Sequence, residues 1–200
     1  MPKSQRRTRV DPRSTIRTCV LIMLVCATGC DLFATRTPEP PGTETGTFLQ
    51  PDTPDQVLEN LRFAIAELNA PNYRRSFSDD LHFQPTAEAE ANDPAIWNGW
   101  GVQEEESYFR ALVEAARLTS GNELRLTDVE QTAGPERYTV DASYVLVFNH
   151  RSTELPNRLQ GRVAWSIEKG QDGLWYIATW TDNSTGTAAS WSDLKAAFIK

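Results

Sequence analysis

Few residues in this chain have the type and position to do chemistry. Of the two histidines, His150 is the better placed. It continues an alternating run in which Tyr138, Val140, Ala142, Tyr144, Leu146 and Phe148 share one face. A neutral imidazole at the end of such a face could serve as a general base at the mouth of an apolar pocket. The polar run Asn149-His150-Arg151-Ser152 also reads as a solvated turn. His82 lies between Leu81 and Phe83, so it points away from whatever those two bury. Asp141 shares its face with Thr139 and Ser143, which predicts solvent or an interface and not a buried base. Tyr108 and Tyr144 could donate to an oxyanion, and both also fit apolar core stripes. Trp97 and Trp100, close together in an irregular stretch, are the best candidates for contact with a ligand or partner. Tyr108, Tyr144 and Trp165 complete that candidate set.

Other chemistries are excluded quickly. The chain has no H-E-x-x-H, no P-loop and no G-x-S-x-G. All three cysteines fall within the first 30 residues, and two distant histidines make a poor metal site. No metal and no cofactor is therefore expected. Glu88, Glu90 and Asp93 lack the spaced oxygen ligands of a calcium loop. Glu104, Glu105 and Glu106 fall in the first turns of a helix, where acids complement the dipole. With 20 basic and 27 acidic residues there is no positive bias to attract nucleic acid. At 40% hydrophobic and 24% charged, the composition is that of a globular domain.

The elements that must position these residues change character along the chain. Thr53-Pro54-Asp55-Gln56 is a helix start, and Val57, Leu58, Leu61, Ala64, Ile65 and Leu68 follow at helical spacing. Asn69-Ala70-Pro71 ends that helix, and a short second helix is expected to carry Tyr73 and Phe77. Leu81–Gln84 reads as a short strand, residues 86–100 as irregular, and Glu104–Arg117 as a third helix. From Asn122 the period becomes two. Strands are expected over Glu123–Glu130, Arg137–His150, Leu159–Glu168 and Leu174–Thr181, and Ser190-Trp191-Ser192-Asp193 starts a last short helix. Helices first and strands after predict an α+β fold on an antiparallel sheet. Val145, Val147, Trp175 and Ile177 are expected on its outer face.

The first 29 residues read as an export signal. A basic stretch precedes the apolar run Cys19–Ala27, which is about half the ~20 residues needed to span a bilayer. Arg6-Arg7 lacks the flanking pattern of a twin-arginine signal, so the export route stays open. Ala27-Thr28-Gly29-Cys30 resembles a bacterial lipobox. The resemblance implies lipidation of Cys30, cleavage before it, and an envelope protein facing the periplasm or exterior, held to the membrane by its acyl chains. Removing residues 1–29 takes six bases and one acid from the totals of 20 and 27, which leaves a net charge of −12. Residues 30–52 are rich in Thr, Pro, Gly and Glu and read as a linker, with Phe48 and Leu49 placed to dock on the domain that follows, 53–200.

The element order, the Pro-started first helix and the run Tyr73…Phe77…Leu81-His82-Phe83 resemble the nuclear transport factor 2-like family, which includes ketosteroid isomerases and polyketide-cyclase-like proteins. The ending Trp175-Tyr176-Ile177…Trp180-Thr181-Asp182, then Trp191…Leu194-Lys195, is similar to members anchored as lipoproteins. The resemblance implies a cone: N-terminal helices packed in a strongly curved antiparallel sheet, with a pocket at the open end and dimers through the outer sheet face. It does not transfer the isomerase's catalytic groups, because no position here matches them. Three readings follow. One is a non-catalytic envelope module that binds a small apolar ligand or an envelope protein. The second is an isomerase, dehydratase or cyclase with a base such as His150. The third is a structural homodimer.

Overall fold

The computed structural model describes residues 46–199. The expected signal peptide, Cys30 and most of the linker lie outside the described residues. Helix α1 (Pro54–Glu67) begins as its sequence predicts. Thr53 Oγ1 accepts from the Gln56 amide, and Gln56 Oε1 accepts from the Thr53 amide at 2.9 Å. Pro54 occupies the first turn, where a missing N–H is harmless. The apolar stripe from Val57 to Ile65 is buried. The helix stops at Leu68, whose backbone is left-handed at φ +57°. Asn69 then caps α2 (Ala70–Arg74), its Oδ1 accepting from the Asn72 amide at 3.0 Å.

β1 spans Phe77–Gln84, so Phe77 belongs to a strand and not to the second helix, which closes at Arg74. Residues 86–100 are not irregular throughout. They hold α3 (Ala87–Asn92), capped by Thr86, and α4 (Pro94–Trp97). α5 runs Val102–Glu114 and stops short of Arg117. There the loop after β3 takes over its end: the Arg151 amide donates to the Ala115 carbonyl, and the Arg117 amide to that of Asn149. β2 (Glu123–Ala133), β3 (Arg137–Val147), β4 (Arg158–Lys169), β5 (Trp175–Ser184) and α6 (Trp191–Phe198) complete the domain.

The five strands form one curled sheet in the order β1-β5-β4-β3-β2. Four pair antiparallel as expected, but β1 runs parallel to β5, which corrects the antiparallel expectation at that edge. The period-two reading holds on β3 and β4, where Val140, Ala142, Tyr144, Leu146, Leu159, Val163, Trp165 and Ile167 are all buried. It fails on β5. Trp165 pairs with Trp180 and Ile167 with Ile177, so Ala178 is an extra residue, a β-bulge. The bulge resets the alternation. Trp175 and Ile177 therefore face inward with Trp180, which corrects their expected place on the outer face. Val145 and Val147 stay outward and half-buried. A second bulge, between Thr127 and Glu130, carries Asp128 at φ +49°.

One glycine is demanded by close approach. Gly161 on β4 pairs with Tyr144, and a Cβ there would stand 2.6 Å from Tyr144 Oη and 2.7 Å from the Asn183 carbonyl. Both lie inside contact distance, and one is backbone. Gly161→Ala is expected to displace the Tyr144 hydroxyl and to lower stability by about 1–3 kcal/mol, measured by urea unfolding.

The chain is already packed on the domain ahead of Thr53. The Leu49 amide donates to Asn60 Oδ1 and Asn60 Nδ2 donates to the Leu49 carbonyl, both at 2.7 Å. The Trp175 amide donates to the Pro51 carbonyl at 2.9 Å. The Arg75 guanidinium lies 3.6 Å over the Phe48 ring.

Candidate functional site

The interior of the sheet is organised by a residue that composition alone would place in solvent. The three glutamates that open α5 have three different fates. Glu104 Oε2 accepts from the Gly101 amide at 3.0 Å and closes the helix start. Glu106 pairs with Arg110 on the outside. Glu105 is fully buried. Its Oε1 accepts from the Tyr73 hydroxyl at 2.6 Å, and its Oε2 from Trp100 Nε1 at 2.9 Å and from Lys195 Nζ at 2.5 Å. Lys195 comes from α6 and is equally buried. Burial pushes its ammonium down to about 8, against the opposing pull of Glu105. Desolvation, then the Glu105 charge, raises the Tyr73 and Tyr108 hydroxyls, so neither ionises near neutrality.

A second polar cluster fixes the start of α6. Asp182 Oδ2 accepts from the Ser192 amide at 2.7 Å and from the Ser192 hydroxyl at 2.6 Å, and Oδ1 accepts from the Tyr144 hydroxyl at 3.0 Å. Tyr144 Oη in turn accepts from the Trp191 amide at 2.6 Å. Burial raises the Asp182 carboxyl above the usual range, and the Ser192 and Tyr144 hydrogen bonds oppose it. The Trp191 ring drops into the interior, 4.5 Å from Trp180 and near-perpendicular to it, and its Nε1 donates to Tyr108 Oη at 3.0 Å. Trp191, Leu194 and Lys195 are all at or near zero exposure. They fill the space the sheet curls around.

No family model matches this chain, and no curated protein matches it either. Solved structures do. A candidate scytalone dehydratase from Novosphingobium aromaticivorans is 11% identical, with TM-score 0.52 over 66% of this chain and 81% of its own. A nuclear transport factor 2-like protein of unknown function in nutrient uptake, from Rhodospirillum rubrum, is 17% identical, with TM-score 0.50 over 65% of this chain and 96% of its own. The domain has the nuclear transport factor 2-like fold. A candidate aromatic ring hydroxylase from Novosphingobium aromaticivorans shares it at 12% identity and TM-score 0.50, over 70% of this chain and 92% of its own. These likenesses define architecture and leave chemistry to the residues.

Within the nuclear transport factor 2-like domain, the candidates read from sequence go to different places. His150 is not at a mouth and not solvated. It is 1% exposed, sits in a bridge to Ala116, and lies edge-on to Phe198 at 5.4 Å. Neither ring nitrogen has a hydrogen bond of good geometry. Burial lowers its pKa, and the nearby Pro156 and Ser152 carbonyls only partly restore it. Trp97 and Trp100 are buried instead of lying in an open loop. Trp97 Nε1 donates to the Ala89 carbonyl at 3.0 Å, and Trp100 Nε1 to Glu105. Tyr108 and Tyr144 belong to the two polar clusters, and Trp165 stacks edge-on against Trp180 at 5.6 Å. Asp141 lies outward and pairs with Arg162. Among the described residues no group of His, Cys, Asp and Glu is arranged to hold a metal ion.

The neutral state of His150 gives a pH dependence with a definite sign. Its folded pKa lies below the value of 6.5 of a free imidazole. Between those two values the unfolded chain binds more protons, so folding weakens as pH falls through that window. Stability is therefore expected to be complete above about pH 7 and to decline below about 6.5. His150→Phe is expected to flatten that slope in denaturant titrations at stepped pH.

An open groove lies elsewhere in the domain. Its volume is about 890 Å³, and it lies where the segment at Phe48 and Pro51, the end of α2, the part of β1 whose register to β5 shifts between Phe77 and His82, and the β4–β5 turn meet. His82 is exposed there, outward as its neighbours Leu81 and Phe83 predicted. Arg74 holds the Phe77 carbonyl at 3.0 Å and pairs with Asp79. The Tyr176 hydroxyl donates to Asp172 Oδ2 at 2.6 Å, and burial, with that bond, pushes it up to about 12. The lining is thus aromatic with charges of both signs. Nothing in the sequence marked the groove, because its walls come from four separate segments.

Proposed function

We propose that the chain is a lipid-anchored envelope module that binds a partner and does not catalyse. The observation that carries this reading is the filled interior: Trp191, Leu194 and Lys195 pack inside the curled sheet, on the side where the resemblance implies a pocket. The groups suited to general acid–base work are engaged there. Glu105 serves Lys195, Tyr73 and Trp100, and Asp182 serves Ser192 and Tyr144. A small apolar ligand finds its expected cone taken up, whereas the groove beside Tyr176 suits a polar protein surface. The lipobox-like Ala27-Thr28-Gly29-Cys30 supports the anchor. The dimer reading is narrowed, since of its four apolar positions only Val145 and Val147 face outward.

Photo-crosslinking in the cell separates these readings. A crosslinking residue at Tyr176 is expected to capture a second protein and one at Val145 nothing. Capture of a second copy from Val145 alone would favour the dimer, and silence at both positions would overturn the binding reading. For the anchor, Cys30→Ala is expected to abolish labelling by radioactive palmitate and to free the protein from the membrane fraction. Unchanged labelling would remove Cys30 from the proposal.

A further inference from the structure

His150 is placed as a peg. In the connection between β3 and β4, residues 148–157, only Phe148 and His150 are buried. Phe148 continues the inward face of β3, so His150 is the buried side chain that belongs to the loop itself. Its ring lies edge-on to Phe198 at 5.4 Å, and its backbone bridges to Ala116. Around this peg the loop is joined to the chain that follows α5. The Arg117 amide donates to the Asn149 carbonyl at 2.7 Å, the Arg151 amide to the Ala115 carbonyl at 3.0 Å, and the Asn149 amide to Asn122 Oδ1 at 2.9 Å.

The peg fits only while it is uncharged. A neutral imidazole has one N–H, and an imidazolium has two and a full charge. Neither ring nitrogen is hydrogen-bonded in the closed loop, although the Pro156 and Ser152 carbonyls are near. The charged groups of the packed elements are turned away or engaged. Glu114 and Arg117 at the end of α5, Arg151 and Glu154 in the loop, and Arg158 at the start of β4 are all exposed. Glu123 on β2 pairs with Arg125, and on α6 Asp193 serves Ser190 and Lys195 pairs with Glu105. A buried charge without a partner is strongly disfavoured. A loop held by one buried side chain is among the first parts of a domain to open.

We propose that the β3–β4 connection is an acid-released latch. When His150 takes up a proton, its ring leaves its place beside Phe198 for water. Residues 149–157 and 115–118 then part, and Ala116 and Phe198 are uncovered while the rest of the domain stays folded. The start of α6 takes no part in the movement, because Tyr144 holds the Trp191 amide and Asp182 that of Ser192. The latch is separate from the outer groove, and its failure leaves the crosslinking test of the groove untouched.

The test is residue-resolved amide exchange of the full chain in detergent, from about pH 8 to about pH 5, with each rate divided by the intrinsic rate at that pH. The imidazole carbon signals report where His150 titrates, with exposed His82 as the second resonance. Below that point, protection of the Arg117, Asn149 and Arg151 amides is expected to fall about tenfold per pH unit, the slope of one coupled proton. The Trp191 and Ser192 amides are expected to keep theirs. His150→Phe, an uncharged ring, is expected to hold the three loop amides at every pH. His150→Ala, with no peg, is expected to leave them open even at about pH 8. Acid release that persists in His150→Phe would overturn the proposal, since another group would then be responsible. So would full protection in His150→Ala, or loss at Trp191 and Ser192 in step with the loop, which is global unfolding. Should neither variant fold, the unaltered chain decides alone, and loop protection unchanged below the His150 titration overturns the proposal.

Discussion

Glu105→Leu is expected to be among the most damaging single substitutions in the domain, costing about 3–5 kcal/mol. The reason is what it leaves behind. Lys195 would remain fully buried, between Phe83 and Trp180, with no anion to pair with. An unpaired buried charge is far more costly than a missing pair. Tyr73 and Trp100 would lose their acceptor as well. At roughly 2–4 °C per kcal/mol for a domain of this size, the melting temperature should fall by about 6–20 °C. Lys195→Met should cost less, since Glu105 keeps two donors, the Tyr73 hydroxyl and Trp100 Nε1. The double substitution should recover most of the loss, because two well-packed apolar side chains replace a desolvated pair at little net cost. Urea unfolding of all four proteins checks this. If Glu105→Leu and the double variant were equally unstable, the pair would not be the source of the loss.

Trp191→Ala is the second large effect, at about 3–5 kcal/mol. Its ring fills the interior between Trp180 and Tyr144, and its Nε1 bonds to Tyr108. The cavity left by its removal would be lined by aromatics that cannot all close in. Trp191→Phe keeps most of the packing and loses the hydrogen bond, so it should cost roughly 1 kcal/mol. Near-ultraviolet circular dichroism adds a readout that stability alone lacks. The interior holds several tryptophans in fixed edge-to-face contact, and their signal should change more in Trp191→Ala than in Gly161→Ala.

How far the fold is legible in the amino-acid sequence depends on which physical signal a residue leaves. The helix starts at Thr53 and Ser190 are written in local chemistry, and both capping boxes form. The alternation on β3 and β4 names the inward faces correctly. Trp175 and Ile177 were misplaced because one bulge residue, Ala178, resets the phase, and an alanine inside a strand carries no mark of that role. The site was less legible. Glu105 was hidden among three consecutive acids at a helix start, where the dipole explanation suffices for two of them. A signal was present nonetheless: Glu105, Tyr108, Phe109 and Leu112 share one helical stripe, as do Trp191, Leu194 and Lys195. A charge on an apolar stripe points to a buried partner, and two such stripes of opposite sign point to each other. His150 misled for the opposite reason, because polar neighbours along the chain say nothing of the α5 terminus and Phe198 that cover it.

The clasp of residues 49–51 has a mechanical consequence. If Cys30 is held in a membrane, tension on the tether does not first reach the α1 cap at Thr53. It arrives at the Thr47 amide held by Glu67, then at the paired Leu49–Asn60 bonds and at the Pro51 carbonyl held by Trp175. Asn60 lies in the middle of α1 and Trp175 opens β5. The load is thus divided between a helix and a strand that are far apart in sequence. A pull that would fray a lone helix end from its tip must instead break contacts to both elements together, so the strap works as a strain relief for the anchored domain.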